Sequence, residues 1–189
     1  DNPNTPTKLQ ILVPNEAVLP GSPVGKYWTG ITTQTAGVPF NVTINATDNW
    51  YNLVSTNPSI KVNTNDPYDT HPSNQQLVSG TTVFSFTMQT VNASPPSLAG
   101  WVIRASTAEV GAVYARLSDG GGSRAIPLKP ASATKLQIIL PGEAHLPVCT
   151  TSYGKSGAVT FSAWSGRPNA VAGSAFDVTV NLVDQFYNK

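Results

Sequence analysis

The chain of 189 residues is 40% hydrophobic, only 11% charged and carries a formal net charge of +1. That composition supports a folded core and excludes global disorder, while the near-zero charge leaves no electrostatic footprint for nucleic acid or an anionic membrane. No apolar run approaches the ~20 residues of a membrane-spanning helix, and the lone Cys149 excludes an intrachain disulfide framework.

The first predicted element in chain order is "TKLQILV". Leu9, Ile11 and Val13 alternate with Lys8, Gln10 and Leu12, the period of a strand with one buried and one wet face. Gly37 supplies a turn before a second strand, in which Phe40, Val42, Ile44 and Ala46 alternate with Asn41, Thr43 and Asn45. "TTVFSFTMQT" then sets Phe84, Phe86 and Met88 on one face. "GWVIRAST" turns Trp101, Ile103 and Ala105 inward, with Val102 and Arg104 outward. "AVYARLSDGGGSRAIPLK" predicts two short strands about a turn at Asp119–Gly122. Further strands are predicted at Lys135–Leu140 and Phe176–Val183, the latter with Phe176, Val178, Val180 and Leu182 on one face. No window shows a helical period. Short strands punctuated by proline and glycine predict an all-β sandwich.

The chain also repeats itself. "TKLQILVPNEAVLP" from Thr7 and "TKLQIILPGEAHLP" from Thr134 agree at ten of fourteen positions. "AGVPFNVTINATDNWYN" from Ala36 and "AGSAFDVTVNLVDQFYN" from Ala172 agree at nine of seventeen. Two blocks in the same order, separated by a loop of variable length, mark a duplicated structural unit. One complete copy is expected over residues 5–129. A second, over 131–189, holds only the opening strands. Its apolar residues Leu136, Ile138, Leu140, Phe176, Val178, Val180 and Leu182 are then expected to lack a cover. The missing strands would come from further chain or from a neighbouring subunit, as in strand complementation. The short link through Pro130 is expected to restrict motion between the copies.

The order "TKLQILVPNE", "AGVPFNVTINATDNWYN", "LVSGTTVFSFTMQT", "GWVIRAS", "IPLKP" resembles the tandem immunoglobulin-like repeats of large bacterial surface and adhesin-type proteins. The resemblance covers nearly the whole chain. It implies an immunoglobulin-like β-sandwich, an extracellular or cell-surface setting, and a structural or adhesive role. The low charge and the abundance of Thr and Asn point the same way. Two departures stand out. Tyr51 and Tyr187 occupy the place of the glycine usual before the motif's Asn, and "TVNASPPSLAG" replaces a shorter turn.

Motifs for chemistry are sparse. His71 and His145 have no second His or Cys at metal-ligand spacing. "GKS" at Gly154–Ser156 has Cys149 where a phosphate-binding loop needs its first glycine. No G-x-S-x-G elbow occurs, and a non-enzymatic protein is expected. Asp48 and Asn52 recur as Asp184 and Asn188. They are weak candidates for holding Ca²⁺, joined by Asp66 and Asp69, but the spacing better suits a hydrogen-bonded turn. No other cofactor is implied. Trp101 is expected in the core, and Trp50, matched by Phe186, in a packing slot. Trp28 and Trp164 are the candidates for an exposed ligand or assembly surface. Asn41, Asn45 and Asn92 head glycosylation sequons, with Asn41 and Asn45 expected to face outward.

The function read from the sequence is therefore a non-catalytic structural or adhesive repeat of an extracellular surface protein or filament. Its partners would be neighbouring copies or further repeats. The alternative is a glycan- or ligand-binding module that uses loop aromatics.

Overall fold

The computed structural model describes residues 5–66, 68–91, 100–108, 122–148, 150–160 and 172–189. Ten strands form among the described residues of the first copy: β1 (Lys8–Leu12), β2 (Glu16–Val18), β3 (Lys26–Trp28), β4 (Gln34–Thr35), β5 (Phe40–Thr47), β6 (Ser59–Thr64), β7 (Gln75–Gln76), β8 (Thr81–Phe86), β9 (Ile103–Thr107) and β10 (Leu128–Lys129). The second copy adds β11 (Lys135–Ile139), β12 (Glu143–His145), β13 (Lys155–Gly157) and β14 (Thr179–Val183). A single 3-10 turn at Thr150–Ser152 is the only helical element among the described residues. The chain is all-β, as the period-two pattern predicts.

Two three-stranded sheets make the first core. One has the order β1-β5-β8, the other β7-β6-β9. All pairings within them are antiparallel, with Ile11 opposite Ile44, Val42 opposite Phe84 and Val62 opposite Ala105. Their inward side chains merge in one apolar cluster that includes Leu9, Ile11, Phe40, Val42, Ile44, Ile60, Phe84, Phe86 and Ile103. Trp101 packs against that cluster without being fully buried, and its indole N–H donates to the Thr90 carbonyl at 2.6 Å. Strand β10 closes the copy by pairing in parallel with β4.

The simple alternation of wet and dry faces fails at two residues. Gln10 and Asn45, predicted outward, are both buried; Asn45 is 6% exposed. They lie opposite each other on β1 and β5, and Thr81 lies opposite Asn45 on β8. A polar ladder runs across the three strands. Asn45 Nδ2 donates to Gln10 Oε1 at 3.1 Å, and Thr81 Oγ1 donates to Asn45 Oδ1 at 2.7 Å. Gln10 Nε2 donates to the Gly25 carbonyl at 2.7 Å. The segment holding Gly25 and the β2–β3 hairpin covers this face, and the amides are satisfied there rather than by water. An Asn45 amide spent in this way is not an outward glycan acceptor; Asn41 is exposed as expected. The Asn92 sequon, Trp164, Cys149 and the Asp119 end of the predicted turn lie outside the described residues.

The second copy rebuilds part of the bonding framework of the first. Strand β11 pairs with β14 as β1 pairs with β5. Gln137 Nε2 reaches the Gly154 carbonyl at 2.6 Å, and Asn181 Nδ2 reaches Gln137 Oε1 at 3.0 Å. Glu143 accepts the Leu140 N–H and pairs with Lys155, as Glu16 accepts the Val13 N–H and pairs with Lys26. Tyr51 and Tyr187, which stand in the glycine place, both take φ of 64°. That left-handed backbone costs an ordinary residue about 1–2 kcal/mol. The rings offset it. Each packs where a Cβ on Gly25 or Gly154 would otherwise sit, and each lies 4.0 Å beneath a lysine ammonium, from Lys8 or Lys135.

One difference is decisive. Among the described residues nothing in the second copy corresponds to β8 or to the β7-β6-β9 sheet. The strand predicted from Phe176 runs only over Thr179–Val183, the residues that pair with β11. Leu136 is 69% exposed, and Ile138, Phe176, Val178, Val180 and Leu182 are exposed with it. Leu140, expected wet as well, is half-buried. Covering such side chains stabilises a fold by about 1.5–3 kcal/mol each. In this chain alone, the β11 and β14 amides should exchange with solvent far faster than those of β5 and β8. Hydrogen exchange on a dilute sample checks this, and equal protection of the two strand pairs would contradict the open face.

A candidate functional site at the junction of the copies

The residues Asp184–Asn188 fold into a tight turn held by one carboxylate. Asp184 Oδ1 accepts the N–H groups of Phe186 at 2.8 Å and Asn188 at 2.9 Å. Its Oδ2 accepts Asn188 Nδ2 at 2.9 Å and the Ala131 N–H at 3.0 Å. The main chain closes the turn, with Asp184 N–H donating to the Asn188 carbonyl at 3.0 Å. Asp48–Asn52 repeats it: Asp48 Oδ1 accepts Trp50 N–H at 2.8 Å and Asn52 N–H at 2.9 Å, and Oδ2 accepts Asn52 Nδ2 at 2.9 Å. The four residues singled out as calcium candidates are thus the two ends of two hydrogen-bonded turns. Asp66 is similarly occupied by Tyr68 N–H and by the Thr90 hydroxyl. Asp69 is buried 3.6 Å from His71 Nε2, and desolvation raises its pKa. Among the described residues no three His, Cys, Asp or Glu side chains converge as metal ligands.

What the second turn does is dock. Asn188 is 1% exposed and spans the gap between the copies. Its Nδ2 donates to the Gln89 carbonyl at 2.8 Å, and its Oδ1 accepts the Val91 N–H at 2.9 Å. One side-chain amide thus pairs with a backbone donor and acceptor as a strand would. Beside it the Phe186 ring packs against the apolar cluster of the first copy. The seat is Gly37, which lies at φ 75° and whose N–H donates to the Met88 carbonyl. A Cβ there would lie 2.7 Å from Phe186 Cζ. Gly37 is therefore required twice, for its backbone angle and for the approach of the ring.

The matching residue of the first turn is not seated. Trp50 is 64% exposed, so the packing slot expected for it is occupied only in the second copy. A slot made by a neighbouring copy exists only where that neighbour is present. Sequence comparison of the two turns shows their likeness but not which of them is docked.

Trp28 behaves differently from the exposed platform expected. It sits on β3, half-buried, with the Arg124 guanidinium 3.3 Å from its ring centroid. Arg124 also approaches Glu16, which pairs with Lys26. One ring face that a sugar would stack on is already taken by a cation. A shallow cavity of about 220 Å³ beside it is lined by Gln10, Trp28, Tyr51, Ser123 and Arg124 among others.

His145 is the one histidine that joins the repeated framework, on β12 where the first copy has Val18. Its Nδ1 lies 2.9 Å from Gln137 Oε1, an acceptor, which places the proton on Nδ1. Burial, and then the Lys189 charge, hold its pKa below the ordinary 6.5. Glu143, through the Leu140 N–H and then Lys155, is held below the ordinary carboxylate value.

No family model, curated protein or solved structure matches this chain.

Two outcomes follow from this geometry. Asn188→Ala leaves the Gln89 carbonyl and the Val91 N–H without their partner, and Gly37→Ala both strains the backbone and displaces Phe186. Each should weaken the junction by about 1–3 kcal/mol. Denaturant unfolding of the full chain, read with the Val91 amide signal, checks this; unchanged values would contradict the docking. The second outcome concerns pH. The unfolded chain protonates His145 before the folded chain does, so the stability of the second copy is complete above pH 6.5 and falls as pH drops through that value. His145→Val should flatten this dependence while leaving the more acidic Glu143 window intact, and thermal melts between neutral and mildly acidic pH measure it.

Proposed function

We propose that the chain is a non-catalytic structural repeat of an extracellular surface protein or filament, built of immunoglobulin-like modules joined end to end. The observation that carries this reading is the junction itself. The same turn is built twice by the same hydrogen bonds, and in the second copy it is seated on the end of the first. A contact made by a repeated element on a repeated unit can be made again, which is the property that a propagating array needs.

The supporting features agree with one another. The two facing sheets of the first copy match the sandwich architecture of such modules. The short connection from β10 to β11 is tied at Ala131 to Asp184, which limits independent motion of the copies. The exposed Leu136, Ile138, Val180 and Leu182 of β11 and β14 stand at the places whose counterparts, Leu9, Ile11, Ile44 and Ala46, are buried in the core of the first copy. Strands from a further part of the chain or from a neighbouring copy would cover them. Low charge and abundant Thr and Asn suit a surface setting.

Immunogold labelling of intact, unpermeabilised cells with an antibody raised against residues 5–129 tests the proposal. Label along the cell surface or along extended structures projecting from it is the expected result. Label that appears only after permeabilisation would overturn the extracellular reading.

A further inference from the structure

The turn of the first copy repeats the carboxylate and main-chain bonds of its docked counterpart, but among the described residues its Asn52 has no counterpart of the bonds from Asn188 to Gln89 and Val91. Its carboxylate holds Trp50 N–H and Asn52 N–H at the same distances at which Asp184 holds Phe186 N–H and Asn188 N–H. Tyr51 and Tyr187 share φ 64° and the same seat beside a glycine and beneath a lysine. The residue that follows Asp48 by two therefore points as Phe186 does, away from its own copy. There Phe186 meets Gly37 and the apolar cluster of its neighbour. Trp50 meets solvent and is 64% exposed. Asn52 is likewise less buried than Asn188. Among the described residues its side-chain amide bonds only Asp48, whereas that of Asn188 also takes Gln89 and Val91.

We infer that the Asp48–Asn52 turn is a docking plug, and that its occupant is the Gly37-bearing end of another copy of this module, equivalent to residues 5–129. Trp50 seats over that copy's Gly37, and Asn52 bridges its Gln89 carbonyl and Val91 N–H. The inference rests on the reading of the chain as an end-to-end repeat and names the residues through which the array propagates. The occupant is fixed by continuity with the interface already present: the plug is the same turn, so its seat is the same seat. The other end of the pattern is also visible. Gly173, the counterpart of Gly37, has φ 82° and open space where its Cβ would be. The interface is therefore head-to-tail, with unlike surfaces meeting, and each module carries one plug and one seat.

An indole is larger than a phenyl ring, so the seat must first be shown to accept it. Phe186→Trp in the full chain puts an indole in the occupied seat, with Trp50 in the same molecule as the exposed reference. Hydroxyl-radical footprinting should oxidise the introduced indole at least roughly twofold more slowly than Trp50, in line with the apolar area it buries. Equal rates would mean that the seat rejects an indole and would overturn the proposal. The direct test joins residues 1–133 to residues 7–189, which keeps the Pro130–Ala133 link and sets a complete copy behind the first. With Trp50→Phe in the leading copy, the only remaining Trp50 faces the leading copy's Gly37. Its oxidation should fall by roughly twofold or more relative to the single chain, and Gly37→Val in the leading copy should restore the single-chain rate. Trp50 oxidised at the single-chain rate in a tandem that melts cooperatively would overturn the inference. So would protection that survives Gly37→Val. Neither result bears on where the protein resides, so this inference can fail while the surface reading stands.

Discussion

The junction depends on one buried carboxylate. Asp184 accepts hydrogen bonds from Phe186, from the backbone and side chain of Asn188, and from Ala131 in the connection between the copies. A carboxylate taken from water is costly unless its oxygens are satisfied, and four N–H donors satisfy them here. The same bonds fix the turn, aim the Phe186 ring and hold Asn188 at the height of Gln89 and Val91. They also tether the start of the second copy. Local structure, interdomain contact and linker geometry therefore share one anchor.

The repeat explains how a weak local motif can dock one copy on the other within this chain. Each copy spends Asp, Tyr and Asn on building the turn, and a glycine on receiving its ring: Gly25 and Gly154 receive the tyrosine within a copy, while Gly37 receives Phe186 across copies. Glycine at these places is set by space as much as by backbone angle. The tyrosines tolerate a left-handed conformation because ring packing and the lysine above them offset its cost. The open side of β11 and β14 fits the same logic, since a sheet face lacking its partner layer is stable only when another element supplies one.

Much of this was legible in the sequence. Period-two runs located β1, β5, β8, β9, β11 and β14, the last as a longer run, and the inward residues of the first four form the core. The spacing of Asp and Asn indicated a turn in both copies. What alternation missed was the second layer. Gln10 and Asn45 read as wet because polar residues on a strand usually are, but the β2–β3 hairpin covers them and their amides bond one another. The roles of Trp50 and Phe186 were illegible for a different reason. They occupy one place in the repeat, and only the presence of a neighbour distinguishes a seated ring from a bare one. The stacking of Arg124 on Trp28 likewise joins residues far apart in the chain, with no spacing to betray it.

The central claim is that Asn188 and Phe186 lock the second copy to the first. Residual dipolar couplings of backbone amides in the full chain measure this most directly. If the junction holds, the amides of β1, β5 and β8 and those of β11 and β14 fit a single alignment tensor, and Asn188→Ala separates them into two. Two independent tensors in the unaltered chain would contradict the account.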